Sequence, residues 1–357
     1  MKKTLFSFFL LMSALCVSAQ IKIVDMTDSS TVHAASVFIS GNRCVGVSGA
    51  DGLLPLPKGY KGKVTVNHIN YYEKEFLADT VSSGVVMLRP RAYAIPEVEA
   101  KVGEPDYLVI SAYYRRYRFT DSIPTAFREG LYDYYLPIGS VGSEEHPSLS
   151  SLLERLIGKG RVRCKTRSEK NVRKEGESYY SSLPLLSWYY MLLDRLPKSD
   201  IVTDKASDKV VSRGWKGSVL GLKNDTVNKT FTAYCDSAYT GADSLTVKFF
   251  GYKVRFIGCK EGEVYSTKYG QPKLSSLLRR YYYLNAKGKA PGKNPMTSID
   301  MYEELYVTGV RYATKAERKA AMKDKTAEPL VVPADVPPLS KPLEEAVSCL
   351  TLKKVDS

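Results

Sequence analysis

The sequence predicts a mainly β protein with some helix, α+β overall, in which an N-terminal β-sandwich precedes a mixed, β-rich second domain. Three observations predict it. Residues 21–102 alternate short apolar runs with turn formers, the spacing of a sandwich. Asp51-Gly52 is a tight-turn signal, because glycine tolerates a positive φ. Later in the chain, apolar and aromatic pieces of strand length recur around Gly251, at Tyr281-Tyr282-Tyr283 and from Ser298 onward.

The chain opens with Lys2 and Lys3, then an apolar run from Leu5 to Val17 that is too short to span a bilayer. Val17-Ser18-Ala19 supplies the small residues read by a signal peptidase. Residues 1–19 are therefore expected to be a signal peptide, with Gln20 as the mature N-terminus. Leu15, where a lipid-anchor signal wants a small residue, speaks against lipidation at Cys16. The remaining 338 residues (357 less 19) suffice for two or three domains. Their formal charge is +12, the whole chain's +14 less Lys2 and Lys3. Such a basic surface in an envelope suits anionic lipid or glycan, or an acidic envelope protein. Export makes nucleic acid an unexpected partner, and no transmembrane helix is expected in the mature chain.

Within 20–102 the expected strands are Ile21–Val24, Ala35–Ile39, Val45–Val47, Leu53–Leu56, Val64–Val66, Tyr71–Leu77 and Val85–Leu88, closed by Arg89-Pro90. In that order, Asp25, Ala35, Val37, Asp51, Gly52, Val64, Val66, Tyr71 and Leu88 resemble the pattern of the carboxypeptidase-like regulatory domain, a transthyretin-like β-sandwich. Ile95 to Lys101 resembles the segment that follows it. Asn70 stands where that family has glycine, and Leu53-Leu54 replaces a Gly-x-Phe spacing. The resemblance implies a structural or docking module common in secreted and outer-membrane proteins of Gram-negative bacteria, without peptidase chemistry. A zinc carboxypeptidase needs His-x-x-Glu, and none of His33, His68 and His146 is followed by Glu three residues on.

A mixed α+β domain is expected over 103–325. Tyr107 to Arg118 reads as a helix, with Leu108, Ser111, Ala112 and Arg115 near one stripe. Residues 119–139 resemble a segment of uncharacterised envelope proteins, as does the stretch 304–317. Leu183 to Leu196 reads as a buried helix ended by Pro197, and 244–258 as two short strands around Gly251. Ser298 to Glu317 reads as a strand running into a helix, with Thr314 as N-cap and Glu317 three residues on. Residues 326–357 are expected to be a proline-rich tail, with Pro329, Pro333, Pro337, Pro338 and Pro342 setting an extended course. In the doubled tyrosines, strand geometry puts one ring on each side of a sheet, so one of each pair is expected to be buried and its neighbour exposed.

Chemistry-bearing patterns are few. The mature cysteines, Cys44, Cys164, Cys235, Cys259 and Cys349, form no CxxC pair; a Cys235–Cys259 bridge is conceivable, and buried free thiols are the simpler expectation. There is no GxSxG, no phosphate-binding glycine loop and no HExxH. Glu303-Glu304 is a carboxylate pair by sequence alone, and such a pair acts only where both acids converge on one cleft. No catalytic, cofactor-binding or metal-binding residue is assigned. The basic run Lys159 to Lys174 offers Arg161, Arg163, Lys165 and Arg167 as candidate contacts for an anion or an acidic partner, their even spacing aligning them on one strand face. The same cations also suit a solvated edge strand protected from aggregation. These features lead to a non-enzymatic binding or assembly module of the cell envelope, periplasmic or outer-membrane-associated. The alternative is a hydrolase that acts on envelope glycans through a carboxylate pair.

Overall fold

The computed structural model describes residues 20–92, 104–138, 163–174, 192, 201–204, 209–213, 219–238, 246–249, 252–268, 270–289 and 296–352. The expected signal peptide, His146, Arg161 and all of the expected 183–196 helix except Leu192 lie outside these residues. The protein is mainly β. It divides into two compact units, Met1–Gly41 with Val45–Pro90 and Asn42–Cys44 with Arg91–Ser357.

In the first unit, β1 (Lys22–Asp25) pairs in parallel with β6 (Val85–Leu88). A second sheet runs in the order β3 (Arg43–Val47), β2 (Ser36–Ile39), β4 (Lys63–His68), β5 (Tyr71–Leu77). Alternation sends Ile23, Val86 and Leu88 from one sheet, and Val37, Val64 and Val66 from the other, into one core. Where Asp51-Gly52 predicts a hairpin, Gly52 takes φ +78, and a Cβ there would meet the Ile23 carbonyl at 2.5 Å. The expected Leu53–Leu56 strand shrinks to a bridge between Leu53 and Lys22, since Pro55 has no N–H to extend a ladder. Buried Asp25 accepts from the Tyr71 hydroxyl at 2.9 Å and from the Thr27 N–H at 2.8 Å, which joins two residues singled out by the sequence pattern.

The second unit is built on one antiparallel sheet. Its strands are β7 (Tyr107–Thr120), β8 (Ile123–Pro137), β9 (Arg163–Arg173), β10 (Ile201–Asp204), β11 (Lys209–Arg213), β12 (Val219–Asp225), β13 (Thr230–Ala238), β14 (Thr246–Phe249), β15 (Tyr252–Ser266), β16 (Leu277–Lys289), β17 (Thr297–Ala313) and β18 (Thr351–Leu352). Their order is β10-β11-β12-β13-β15-β16-β17-β7-β8-β9-β18, with β14 hairpinned onto β15 as the sequence around Gly251 predicts. The meander is therefore joined where β7 meets β17, and the described strands at its two ends are β10 and the short β18, which lies outside β9. Gly262 sits opposite Tyr281, whose ring lies across it; a Cβ there would come within 2.1 Å of the ring carbon Cζ.

The helix expected at Tyr107–Arg118 is instead part of β7. Both sides of the central strands are covered, so buried residues follow one another without alternation: Val109, Ile110, Ala112, Tyr113 and Tyr114 are all buried. A continuous apolar run fits a helical stripe as readily as a covered strand, and β-branched and aromatic side chains decide for the strand. For the same reason both rings of Tyr113-Tyr114 and of Tyr134-Tyr135 are buried, whereas Tyr71-Tyr72 behaves as expected, at 8% and 42% exposed.

The end of the chain runs back over this sheet. Helix α1 (Lys315–Lys323) starts with the expected capping box, Thr314 accepting from the Glu317 N–H and Glu317 from the Thr314 N–H at 2.6 Å. Ala321 and Met322 of α1 pack against Val109, Tyr135 and Ala313. Residues 326–340 form neither helix nor strand and turn once at 334–336, yet they are held to the protein: Val336 and Ser340 are buried. Helix α2 (Lys341–Ser348), with Pro342 in its first turn, buries Leu343 and Ala346 and packs against β8. β18 then pairs with β9, Thr351 opposite Arg173.

Candidate functional site

Two matched segments organise the middle of the sheet. Tyr113-Tyr114-Arg115-Arg116-Tyr117 on β7 runs antiparallel to Tyr302-Glu303-Glu304-Leu305-Tyr306 on β17, with Arg115 opposite Glu304, Arg116 opposite Glu303 and Tyr117 opposite Tyr302. Neighbouring residues point to opposite sides of a strand, so one Arg–Glu couple serves each face.

On one face, Arg116 Nη2 lies 2.5 Å from Glu303 Oε2, both side chains about a tenth exposed or less. Further along the same face, Arg280 reaches Glu261 at 3.4 Å and Glu263 at 3.6 Å. Glu263 also accepts from the Tyr265 hydroxyl at 2.5 Å and from the Leu192 N–H at 2.6 Å. Toward β9, Glu169 accepts from Arg128 and Tyr132. Cys164 belongs to this side, where burial pushes its thiol up to about 12.

On the face crossed by the tail, Glu304 accepts from Tyr117 at 3.1 Å and from Tyr306 at 3.0 Å, and Glu129 accepts from Tyr113. Arg115 lies over the rings of Tyr113 and Tyr306, 5.3 and 5.9 Å from their centroids, and donates to the Pro337 carbonyl at 2.7 Å. Burial raises the Tyr113 and Tyr306 phenols above their ordinary value, so these rings act as neutral donors. Tyr117 stacks on Tyr302 at 4.8 Å. Burial also holds the Asp300 carboxyl above its ordinary range, although Tyr283 and Asn285 both donate to it at 2.7 Å.

These groups neutralise one another. Glu303 and Glu304 diverge to opposite faces, so they do not form the convergent acid pair that glycoside hydrolysis needs. Glu261 and Glu263 do share a face, and the Arg280 guanidinium reaches both. The Arg–Glu ladder was not read from the sequence. The signal was present in two tyrosine-flanked charge pairs of opposite sign, one at each end of the domain, that match only when one is reversed against the other.

The basic run lies at the edge of the sheet. Arg163, Lys165 and Arg167 share the tail-side face of β9, as their even spacing predicts: Arg163 is opposite Tyr135 and Lys165 opposite Asp133. Arg167 is the extra residue of a β-bulge, between Thr166 opposite Tyr132 and Ser168 opposite Leu131. Its guanidinium lies 3.2 Å from Asp133 and 3.1 Å from Glu328, and its carbonyl accepts from the Glu328 N–H at 3.0 Å. Lys165 donates to the Asp324 carbonyl. Arg163 and Lys170 are exposed. Among the described strands, β18 alone pairs with the outer edge of β9, at Val172 and Arg173.

Cys44, Cys164, Cys235, Cys259 and Cys349 are free thiols, and in register Cys235 faces Glu261 while Cys259 faces Ser237. His33 and His68 are buried. Among the described residues no group of three or more His, Cys, Asp or Glu is placed to hold a metal ion, and no helix is long and apolar enough to cross a membrane. No family model matches the chain, and no curated protein matches it.

Proposed function

We propose that this protein is a non-enzymatic binding or assembly module of the cell envelope, exported by its first nineteen residues, with the basic edge strand β9 as its contact surface. The observation that carries this reading is the placing of Arg163, Lys165 and Arg167 on one face of β9, beside the edge of the sheet, where Glu328 pairs with Arg167 and the Asp324 carbonyl accepts from Lys165. A positive edge of this kind steers and orients an acidic partner. The opposed directions of Glu303 and Glu304 favour binding over glycan hydrolysis. The first unit is read as a transthyretin-like sandwich of the carboxypeptidase-like regulatory kind, a docking or spacing module; its two sheets with one shared core support that reading.

The test is crosslinking of the exported protein in intact cells, comparing wild type with R163Q/K165Q/R167Q/K170Q. The expected result is one envelope protein captured by wild type and lost from the variant, with the variant still unfolding in a cooperative thermal transition. Equal capture by both would refute β9 as the contact. Glycan fragments in place of a protein would refute the binding module itself.

A further inference from the structure

We infer that the outer edge of β9 takes an extended peptide carrying an acidic side chain, and that residues 324–332 of this same chain occupy that edge as an internal competitor. The inference rests on the binding reading above and adds the ligand's chemistry and its control.

The bulge at Arg167 is the recognition device. An extra residue in one strand leaves its backbone outside the regular ladder, and here Arg167 keeps its side chain on the face of Asp133. Here both parts of the residue meet the same segment: the carbonyl accepts from the Glu328 N–H at 3.0 Å, and the guanidinium binds the Glu328 carboxylate at 3.1 Å. One backbone bond together with one charged pair is the start of strand addition, in which main-chain bonds supply affinity and a side chain supplies choice. Asp133 at 3.2 Å orients the guanidinium from within the sheet. Lys165 holds the Asp324 carbonyl, and exposed Arg163 and Lys170 extend the positive edge in both directions.

The occupying segment is poorly anchored between its ends. Met322 packs in the core beside Val109, and Val336 is buried, but Asp324–Pro329 are exposed and Val331 is 68% exposed. The Glu328 side chain is 53% exposed, so its pair with Arg167 is of the weak surface kind. A peptide making the same two contacts and continuing along Ser168–Asn171 displaces it without disturbing α1 or α2.

The experiment uses the full mature protein and a fluorescein-labelled synthetic peptide with the sequence of residues 324–332, followed by fluorescence anisotropy. E328A weakens the internal competitor while Arg167 and Asp133 remain. The expected result is binding to E328A about fivefold tighter than to wild type, as loss of one surface contact implies. Relative to E328A, binding should weaken about fivefold for R167A/E328A, return in part for R167K/E328A, and weaken by a similar factor for a peptide with its glutamate changed to glutamine. Equal affinity for E328A and wild type would overturn the internal competition. Undiminished binding to R167A/E328A, or no binding to E328A, would overturn strand addition at this bulge; loss of the in-cell partner on neutralising β9 would still sustain the broader binding reading.

Discussion

Replacing Arg116 with methionine is expected to be far more damaging than replacing an arginine or lysine of similar pairing distance at the surface. Methionine keeps the apolar stem and removes the charge, so the change leaves Glu303 buried beside a neutral side chain. Breaking a buried pair by deleting one member costs about 3–5 kcal/mol, because the remaining charge stays desolvated. The comparison is Lys63–Glu75 in the first unit, at 2.8 Å but with side chains 50% and 39% exposed. Pairs of that kind are worth about 0–1 kcal/mol. At roughly 2 °C per kcal/mol for a unit of this size, R116M should lower the unfolding temperature of the second unit by about 6–10 °C, and K63M that of the first unit by little. R116M/E303L removes both charges together, and should recover most of the loss or exceed wild type, since apolar replacement of a whole buried pair is neutral or stabilising by about 1–4 kcal/mol. Scanning calorimetry on the four proteins decides it. A double variant as unstable as R116M alone, or equal losses for R116M and K63M, would refute the argument from desolvation.

Two further outcomes follow from local geometry. Gly52→Ala should cost the first unit about 2 kcal/mol or more in urea unfolding, since it adds a contact with the Ile23 carbonyl to an unfavourable φ; Gly59→Ala, with φ +71 and nothing within 4 Å of its Cβ, should cost only about 1–2 kcal/mol. Similar losses at both sites would show that the carbonyl contact is relieved by a local shift. The carboxyls of Asp106, Glu317 and Asp324 are each held below their ordinary values, first of all by a backbone N–H bond, from Lys315, Thr314 and Thr326 respectively. A lowered folded value means that their support for the two ends of α1 is present above the unfolded values and is lost as pH falls through the folded ones. Carboxyl carbon titration by NMR should give midpoints below 3.8 for Asp106 and Asp324 and below 4.5 for Glu317, with the protection factors of the three amides falling over that same acid range. Midpoints at or above those values would sink the capping account.

What the sequence determined by itself is local in origin. Apart from Leu53–Leu56, the strands of the first unit, together with the Gly52 turn, the β14–β15 hairpin and the capping box at Thr314, each depend on residues within a few positions, where alternation, φ preference and side-chain reach leave one answer. The shared face of Arg163, Lys165 and Arg167 was likewise legible, because a strand's period of two needs no partner to be read. Tertiary structure decided the rest. Tyr107–Arg118 became a strand because the sheet is covered on both sides, which erases the alternation that distinguishes strand from helix. Arg116 met Glu303 across 187 residues of chain, a pairing fixed only by the register of β7 on β17. The proline-rich segment was kept out of helix and strand by its own prolines, but whether it hung free or crossed the sheet depended on Arg115 and Arg167, whose positions the folded sheet sets.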